Sequence, residues 1–311
     1  MYHPKHIIEV LADNVRKTRN PFGAGNGTMN KWWKKTAIRT EGDAMLYTGL
    51  MYQLMPYIKK TTHQIERFED TFIADYVGYQ KYVPKLLVKL AFACMPAKED
   101  KQNANTILKS IVKLLETSQV DFFYKPKLDY YSGILLYDLG DNEGFIEHAN
   151  FVAGKLKEEG IEKIITVDPH TTYALKVLYP KYTGISFDVK TYFELINFEA
   201  QDGGRQVTLH DPCFYGRYLE LSDVPRQIFD RFGIENINVR NSGKFTSCCG
   251  GPAESISPAL TKEILTKRYA DLQETGKPIV AMCPVCLGNL MKIGADVEDL
   301  SVFLARYAGS S

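Results

Sequence analysis

The sequence lacks several features that would place a protein in a large functional class. Its 311 residues carry a formal net charge of +1, and no polybasic run marks a binding site for nucleic acid or anionic lipid. No stretch of about 18 uncharged apolar residues occurs, which predicts that the chain does not insert into a membrane. The charged first residues lack the apolar core of a secretory signal. We therefore predict a cytoplasmic protein that binds no nucleic acid.

Glycine-rich nucleotide-binding motifs are also missing. Neither G-x-G-x-x-G nor a P-loop occurs between a predicted strand and helix, so we predict that this chain binds no nucleotide itself. The composition, with 45% hydrophobic and 24% charged residues, is that of an ordinary globular protein. Its length allows about two domains.

Cysteine is nearly absent from the first two thirds of the chain. Only Cys94 lies there, and we interpret it as a buried, inert core thiol. The other five lie in the last third: Cys213, Cys248, Cys249, Cys283 and Cys286. In a long cytosolic chain, such a cluster favours metal or redox chemistry over structural disulfides.

The second half of the chain alternates patterns typical of strands and helices. Strands are predicted at RQVTLHDP, IENINVR and KPIVAM, and helices at LSDVPRQIFDRFG, SPALTKEILTKRYADLQETG and LGNLMKIG. Repeated β-α units predict a parallel sheet with helices on its faces. All five cysteines then follow strands, at the carboxyl edge where such sheets build their sites.

The first half repeats this plan without the sulfur. Leu50 takes the place of Cys213, the stretch 131–133 (YSG) that of 248–250 (CCG), and the stretch 168–171 (DPHT) that of the 283–286 clip (CPVC). We interpret this as an internal duplication with a degenerate first copy. The predicted lobes are 1–200, with a helical N-terminal region and a helical insertion at about 57–105, and 201–311, which carries the cysteines.

The cysteine pattern resembles the cysteine-rich CCG domain. The stretch HDPCFYGR around Cys213 looks like the segment around the first cysteine of that domain, and NPFG at 20–23 resembles a segment of heterodisulfide-reductase-type members. The domain occurs in the catalytic subunit of heterodisulfide reductase and in relatives linked to hydroxyacid oxidation and quinone reduction. The resemblance implies an α/β fold of two pseudo-symmetric, Rossmann-like lobes with parallel sheets, each a copy of the CCG domain and the first degenerate.

The resemblance also implies a cofactor. By this resemblance, one noncubane [4Fe-4S] cluster would be bound by five thiols, those of Cys213, Cys248, Cys249, Cys283 and Cys286. Gly250 would let the backbone approach the cluster closely. A zinc site that uses four of the five thiols is the alternative. The first lobe has lost every ligand position, so we expect no cluster of this type there.

The activity implied by the family is that of an oxidoreductase acting on sulfur groups within a heterodisulfide-reductase-like complex. Cys213, Cys248 and Cys249 would then take part in catalysis on a disulfide or thiol substrate, and His210 is a candidate proton donor. A hydrogen bond to the backbone is the alternative role of His210. An iron–sulfur subunit of a hydroxyacid- or quinone-linked dehydrogenase and a zinc-binding scaffold subunit remain alternative functions.

Partners and accessory residues complete the prediction. Because the chain lacks the ferredoxin module of some relatives, we expect a separate small ferredoxin-like [4Fe-4S] subunit and a flavoprotein upstream of it. Arg217 and Arg226 are candidates to hold an anionic substrate, or to pair with carboxylates. Asp168 and His170 are a candidate metal-binding pair in the first lobe.

Overall fold

The computed structural model contains two parallel β-sheets of four strands each. It describes residues 4–68, 97–200, 204–254 and 257–309, so Cys94 and most of the predicted insertion lie outside the described residues. The first sheet consists of β1 (Ala44–Tyr47), β2 (Phe122–Phe123), β3 (Lys163–Thr166) and β4 (Asp188–Thr191). The second consists of β5 (Gln206–His210), β6 (Glu235–Asn236), β7 (Ile279–Ala281) and β8 (Val297–Asp299).

Helices surround both sheets. Those of the first lobe are α1 (Pro4–Thr18), α2 (Asn26–Met29), α3 (Met51–Phe68), α4 (Lys98–Thr117), α5 (Ile134–Asp138), α6 (Asn142–Glu158), α7 (Pro169–Tyr173) and α8 (Tyr179–Thr183). Those of the second lobe are α9 (Asp223–Phe232), α10 (Pro258–Gln273), α11 (Pro284–Lys292) and α12 (Leu300–Leu304). Among the described residues, we find no helix with the length and apolar character needed to cross a bilayer.

The two sheets share one topology. Their strand orders are β2-β1-β3-β4 and β6-β5-β7-β8, with every pairing parallel. In each lobe the second strand pairs on one side of the first strand, and the third strand pairs on its other side. The first and third strands are therefore the two central strands, and the topological switch point lies between them. Open parallel sheets bind their ligands at such a point, beyond the carboxyl ends of the strands.

The strand register supports the equivalence of the two copies. Tyr47 pairs with Thr166 in the first sheet as His210 pairs with Ala281 in the second. Counting forward from these pairs aligns Leu50 with Cys213 and residue 168 with residue 283. Gly133 and Gly250 both adopt the left-handed conformation, at φ values of 85° and 84°. The predicted pair of pseudo-symmetric α/β lobes is therefore confirmed.

Several local predictions are also confirmed. Ser257 caps α10 by accepting a hydrogen bond from the backbone N–H of Leu260, with Pro258 next in the chain, and Gly233 ends α9 in the left-handed conformation.

Other local predictions differ from the structure. The second strand of each lobe is shorter than predicted, and helix α11 begins at Pro284, ahead of the predicted LGNLMKIG. The sequence prediction missed the fourth strand of each lobe and the short helices α5 and α12.

The lobes share an apolar core. One continuous cluster of buried side chains includes Leu46 and Ile107 from the first lobe with Leu209 and Phe229 from the second. The Tyr52 hydroxyl donates a hydrogen bond of 2.6 Å to the Asp299 carboxylate across the same interface. The loops at the carboxyl ends of the two sheets are consequently held together by buried contacts as well as by the chain.

Buried Asp129 organises the loop that follows β1. Its Oδ1 accepts hydrogen bonds from the backbone N–H groups of Thr48 and Gly49, at 2.9 and 3.0 Å. Its Oδ2 accepts from the Thr48 and Tyr124 hydroxyls, both at 2.6 Å. Burial raises the pKa of this carboxyl to about 6, although the four hydrogen bonds oppose the rise.

We predict that Asp129→Ala lowers the free energy of unfolding by about 3 kcal/mol, because two backbone donors lose their buried acceptor. Urea denaturation at pH 7 measures the change. The control is Asp121→Ala, which removes a surface ion pair with Arg39 and should cost at most about 1 kcal/mol. Equal losses in the two variants would contradict the assigned role of Asp129.

The raised pKa of Asp129 also predicts a pH dependence. This pKa is higher in the folded chain than in the unfolded chain, where it is about 3.9. The folded state therefore binds the proton more tightly, and this contribution to stability falls as the pH rises from about 4 to about 6. The stability difference between wild type and Asp129→Ala, measured by urea denaturation, should shrink across that interval.

Candidate metal centre

Five cysteine side chains meet beyond the carboxyl ends of β5 and β7. The thiols of Cys249, Cys283 and Cys286 form one buried cluster. Neighbouring thiols shift one another's pKa in a series that runs from Cys213 to Cys248, Cys249, Cys286 and Cys283. Residues 70 positions apart are thus brought together by the switch point of the second sheet. The predicted convergence of the cysteine-bearing loops is observed.

Each cysteine has a defined position in the backbone. Cys213 directly precedes a π-helical turn, Phe214–Tyr218. Cys283 is the N-cap residue of α11, Pro284 occupies the first helical position, and Cys286 lies in the first turn. The backbone N–H of Cys286 donates to the Cys283 sulfur. A helix N-terminus stabilises negative charge, so this clip is suited to thiolate.

The loop with the adjacent cysteines is fixed by its glycines. Gly250 adopts φ = 84°, and its N–H donates to the Cys248 sulfur at 3.3 Å. A Cβ on Gly251 would lie 2.4 Å from Val285 Cγ1 and 3.6 Å from Cys249 Sγ. The loop therefore packs against the 283–286 clip without room for a side chain at position 251.

Burial and hydrogen bonding divide the sulfurs into two groups. Cys249, Cys283 and Cys286 are buried, whereas Cys213 and Cys248 are partly exposed. The pKa of Cys248 is lowered to about 2 by hydrogen bonds from the Cys213 and Cys249 thiols, with the Gly250 N–H adding to the effect. Burial opposes ionisation of Cys283, but hydrogen bonds from Cys286 and the nearby His170 prevail and lower its pKa to about 5.

The remaining three thiols hold their protons. The neighbouring Cys248 raises the pKa of both Cys213 and Cys249, and Cys249 raises that of Cys286, in each case with burial acting in the same direction. Sulfur binds metal as thiolate, so metal uptake by these residues is coupled to the release of their protons.

His210 lies against the buried sulfurs in one defined tautomer. One ring nitrogen of His210 and the sulfurs of Cys249 and Cys286 lie within 4.8 Å of one another. The fully buried Arg268 donates from Nε to His210 Nδ1 at 3.1 Å. Arginine has no acceptor, so Nδ1 accepts and the proton of the neutral ring lies on Nε2. Burial, with Arg268 adding to it, lowers the pKa of His210 to about 3, so the ring is neutral at pH 7.

This tautomer bears on the predicted roles of His210. The ring cannot lend a lone pair from Nε2 to a metal while Arg268 occupies Nδ1. Its Nε2 is buried and lacks a hydrogen-bond partner among the described residues. The neutral ring is not charged to act as a strong acid near neutral pH.

His170 of the first lobe also reaches the sulfurs. Its Nδ1 lies 3.9 Å from Cys283 Sγ and 3.5 Å from Asp168 Oδ1. Sequence reasoning grouped His170 with Asp168 as a metal-binding pair of the first lobe, whereas the structure directs this nitrogen at the second lobe. The stretch 168–171 is equivalent to the 283–286 clip, and the two lobes lie close together. These two features are the signal that could have predicted the contact between His170 and Cys283.

The two candidate arginines have different surroundings. Arg226 forms a bidentate ion pair with buried Asp211, with N–O distances of 2.7 and 2.8 Å. It therefore pairs with a carboxylate, which was the alternative to holding an anionic substrate. Arg217 is exposed and donates to the Thr246 carbonyl at 2.8 Å. Its positive charge helps to lower the pKa of the partly exposed Cys248.

The donor set fits a polynuclear iron–sulfur centre better than a single metal ion. One tetrahedral zinc takes four ligands, and the five converging sulfurs exceed that number. Thiolate is the usual ligand of iron–sulfur clusters, and N–H donors beside the sulfurs are typical of such sites. Gly250, Gly251 and His210 provide a close backbone approach and an unpartnered buried donor at this point.

Comparison with known proteins agrees with this geometry. Residues 207–291 match the family model described as "Cysteine-rich domain", CCG. The chain is 31% identical over 206 residues to the "Probable membrane-anchored ferredoxin" of Chromohalobacter salexigens, with 61% of this chain and 31% of the relative covered. It is 29% identical over 215 residues to the "EtfAB:quinone oxidoreductase" of Syntrophomonas wolfei, with 62% and 30% covered.

A third relative is a subunit of a heterodisulfide reductase. The chain is 29% identical over 174 residues to a subunit of the dihydromethanophenazine:CoB--CoM heterodisulfide reductase of Methanosarcina mazei, with 50% of this chain and 42% of the relative covered. The chain thus spans less than half the length of these relatives. Its second lobe is a cysteine-rich domain of the CCG type, and the chain is related to iron–sulfur oxidoreductases that include a heterodisulfide reductase.

Proposed function

We propose that this chain is the iron–sulfur subunit of a heterodisulfide-reductase-like complex. In this proposal Cys213, Cys248, Cys249, Cys283 and Cys286 hold one noncubane [4Fe-4S] cluster, at which electron transfer is coupled to conversion between a disulfide and two thiols. The observation that carries the proposal is the convergence of five cysteines from three separate loops, whose thiols shift one another's pKa in one series. The cytoplasmic location predicted from the sequence remains a prediction.

The exposure of the sulfurs indicates where a substrate or partner approaches. Cys213 and Cys248 are the two partly exposed members. Phe245 and Tyr218, which are 73% and 56% exposed, lie on the same two loops. Exposed aromatic side chains of this kind are typical of interaction sites. Arg217 beside Cys248 adds a positive charge suited to an anionic group on the incoming molecule.

The proposed reaction requires two electrons and two protons. Cleavage of one S–S bond yields two thiols, RSSR′ + 2e⁻ + 2H⁺ → RSH + R′SH. A bound cluster supplies electrons singly and a site for sulfur. The electrons are expected from a reduced ferredoxin-like [4Fe-4S] subunit, itself reduced by a flavoprotein. The buried 283–286 clip and His210 exclude water from the inner sulfurs. The reaction is therefore confined to the solvent-facing side of the centre, at Cys213 and Cys248.

A second candidate is electron relay toward a quinone. It is favoured by the similarity to a relative named as a quinone oxidoreductase, which covers as much of this chain as any match described above. In that case the same cluster would carry electrons without binding substrate sulfur. A zinc-binding scaffold is disfavoured, because a tetrahedral zinc would use only four of the five clustered thiols.

We predict that protein purified without oxygen contains about four iron and about four acid-labile sulfide atoms per chain and absorbs broadly in the visible. Cys249→Ser should lose most of the iron, because Cys249 contacts sulfurs on both sides. Cys94→Ser is the matched control and should keep the wild-type content. A colourless wild type with one zinc and no sulfide would contradict the proposal.

We predict that Gly251→Ala lowers cluster occupancy several-fold, because the new Cβ would displace Val285 between the two clip cysteines. Gly154→Ala is the control, since a Cβ there meets nothing within 4 Å. Iron content measures both. The double variant Gly251→Ala with Val285→Ala should recover part of the loss, and no recovery would show that the clash is not the cause.

The two candidate activities are separated by thiol titration. If substrate sulfur binds at the cluster, adding a thiol to the oxidised protein should change its electron paramagnetic resonance spectrum, and Arg217→Gln should weaken the response to an anionic thiol more than to a neutral one. A spectrum that does not respond to any thiol, with rapid oxidation of the reduced protein by a soluble quinone, would favour the relay.

A further inference from the structure

We infer that His170, a residue of the first lobe, donates an N–H hydrogen bond to the Cys283 sulfur and raises the reduction potential of the centre in the second lobe. This inference rests on the proposed function. It assigns a role to the degenerate lobe, which has no cysteine at any equivalent position. It concerns a positioning residue that acts through a ligand of the proposed cluster.

The donor is defined by the two groups that face it. His170 Nδ1 lies 3.9 Å from Cys283 Sγ and 3.5 Å from Asp168 Oδ1. A ligating thiolate accepts hydrogen bonds and does not donate them. Asp168 Oδ1 already accepts from the backbone N–H groups of His170 and Thr171, at 2.9 and 3.0 Å. With an acceptor on each side, Nδ1 carries a proton in both the neutral and the charged ring.

The ring is held in this position from both lobes. Asp168 is the N-cap residue of α7 and fixes the first turn, in which His170 lies. On the other face, the Phe214 ring meets the His170 ring at a centroid distance of 5.1 Å and an angle of 69°. His170 is 8% exposed. A buried ring packed between a capped turn and an aromatic edge has little freedom to turn away from Cys283.

The consequence for the centre follows from the charge on sulfur. An N–H that donates to a ligating thiolate withdraws negative charge from it. The reduced state carries one more negative charge than the oxidised state, so it is stabilised more. Hydrogen bonds to cluster sulfur and low solvent exposure are established determinants of cluster potential. Asp168 stands where Cys283 stands in the second lobe, so a lost ligand position now orients a donor toward the ligand that remains.

The test is the reduction potential of the intact chain, measured by a redox titration monitored by electron paramagnetic resonance. His170→Phe removes the donor and keeps an aromatic ring, and it should shift the midpoint potential to a more negative value at unchanged iron content. His170→Asn keeps an N–H donor and should restore much of the shift. His148→Phe is the control. It changes another buried histidine of the first lobe, whose Nε2 lies 2.6 Å from the Tyr131 carbonyl, and should leave the potential unchanged.

An unchanged potential in His170→Phe with a full cluster would overturn the inference and leave the proposed function intact. A wild type without a cluster would overturn both. If His170→Phe does not retain its cluster, pulsed resonance of protein labelled with ¹⁵N-histidine decides instead. The wild type should show a weak histidine nitrogen coupling that is missing from the spectrum of His170→Asn, in which a coupling from His210 can persist, and identical spectra would rule out the contact.

Discussion

The structure depends on how the turn after Cys213 is anchored in the opposite lobe. Phe214 belongs to the apolar core of the first lobe, and the Tyr215 hydroxyl lies 2.8 Å from Thr191 Oγ1, also in the first lobe. Both rings are buried, so pulling the turn away would expose two aromatic side chains and leave a hydroxyl unpaired. The loop that carries one partly exposed sulfur is therefore no mobile flap. Its position is set by the packing between lobes, and the site inherits that rigidity.

This constraint explains why a degenerate copy is retained. A single parallel sheet presents its strand-end loops to solvent, and a sulfur cluster there would be open on one side. The first lobe closes that side with His170 and the core around Phe214. Its own former ligand positions have become structural. Leu50 and Tyr131 are fully buried in its core, and a Cβ on Gly49 would lie 2.1 Å from Thr171 Oγ1. The lobe that lost its sulfur thus acts as the wall of the site that kept it.

The sequence predicted the arrangement of the cysteine-bearing loops because that arrangement follows from topology. Residues directly after parallel strands meet at one edge whatever the details of packing, and the copies were aligned through the same rule. The same rule places His170 near the cysteine-bearing edge, but the atom that its ring presents to Cys283 and the contribution of Arg268 could not be predicted in this way. Each depends on which face a side chain presents across an interface, and Arg268 lies in the middle of a helix whose charged pattern looks solvent-exposed. The fourth strands were missed because their sequences, DVKT and VED, are largely polar, and pairing with a neighbour, rather than local propensity, makes them strands.

The buried Arg268 shows how the second lobe supports its inner sulfurs. An arginine out of water is costly unless its donors are used, and here they reach His210 Nδ1, the Asn241 carbonyl and Thr246 Oγ1, at 3.1, 2.9 and 3.5 Å. One side chain thereby ties α10 to the end of β5 and to the loop that leads into Cys248. The cost of burial is offset when these donors are used, so the guanidinium favours this loop geometry and fixes the proton of the neutral His210 ring on Nε2. His170 of the first lobe and His210 of the second thus lie beside the buried sulfurs, while Cys213 and Cys248 are partly exposed. That asymmetry gives the centre an inner side that sets its electronic properties and an outer side at which a partner or substrate can meet it.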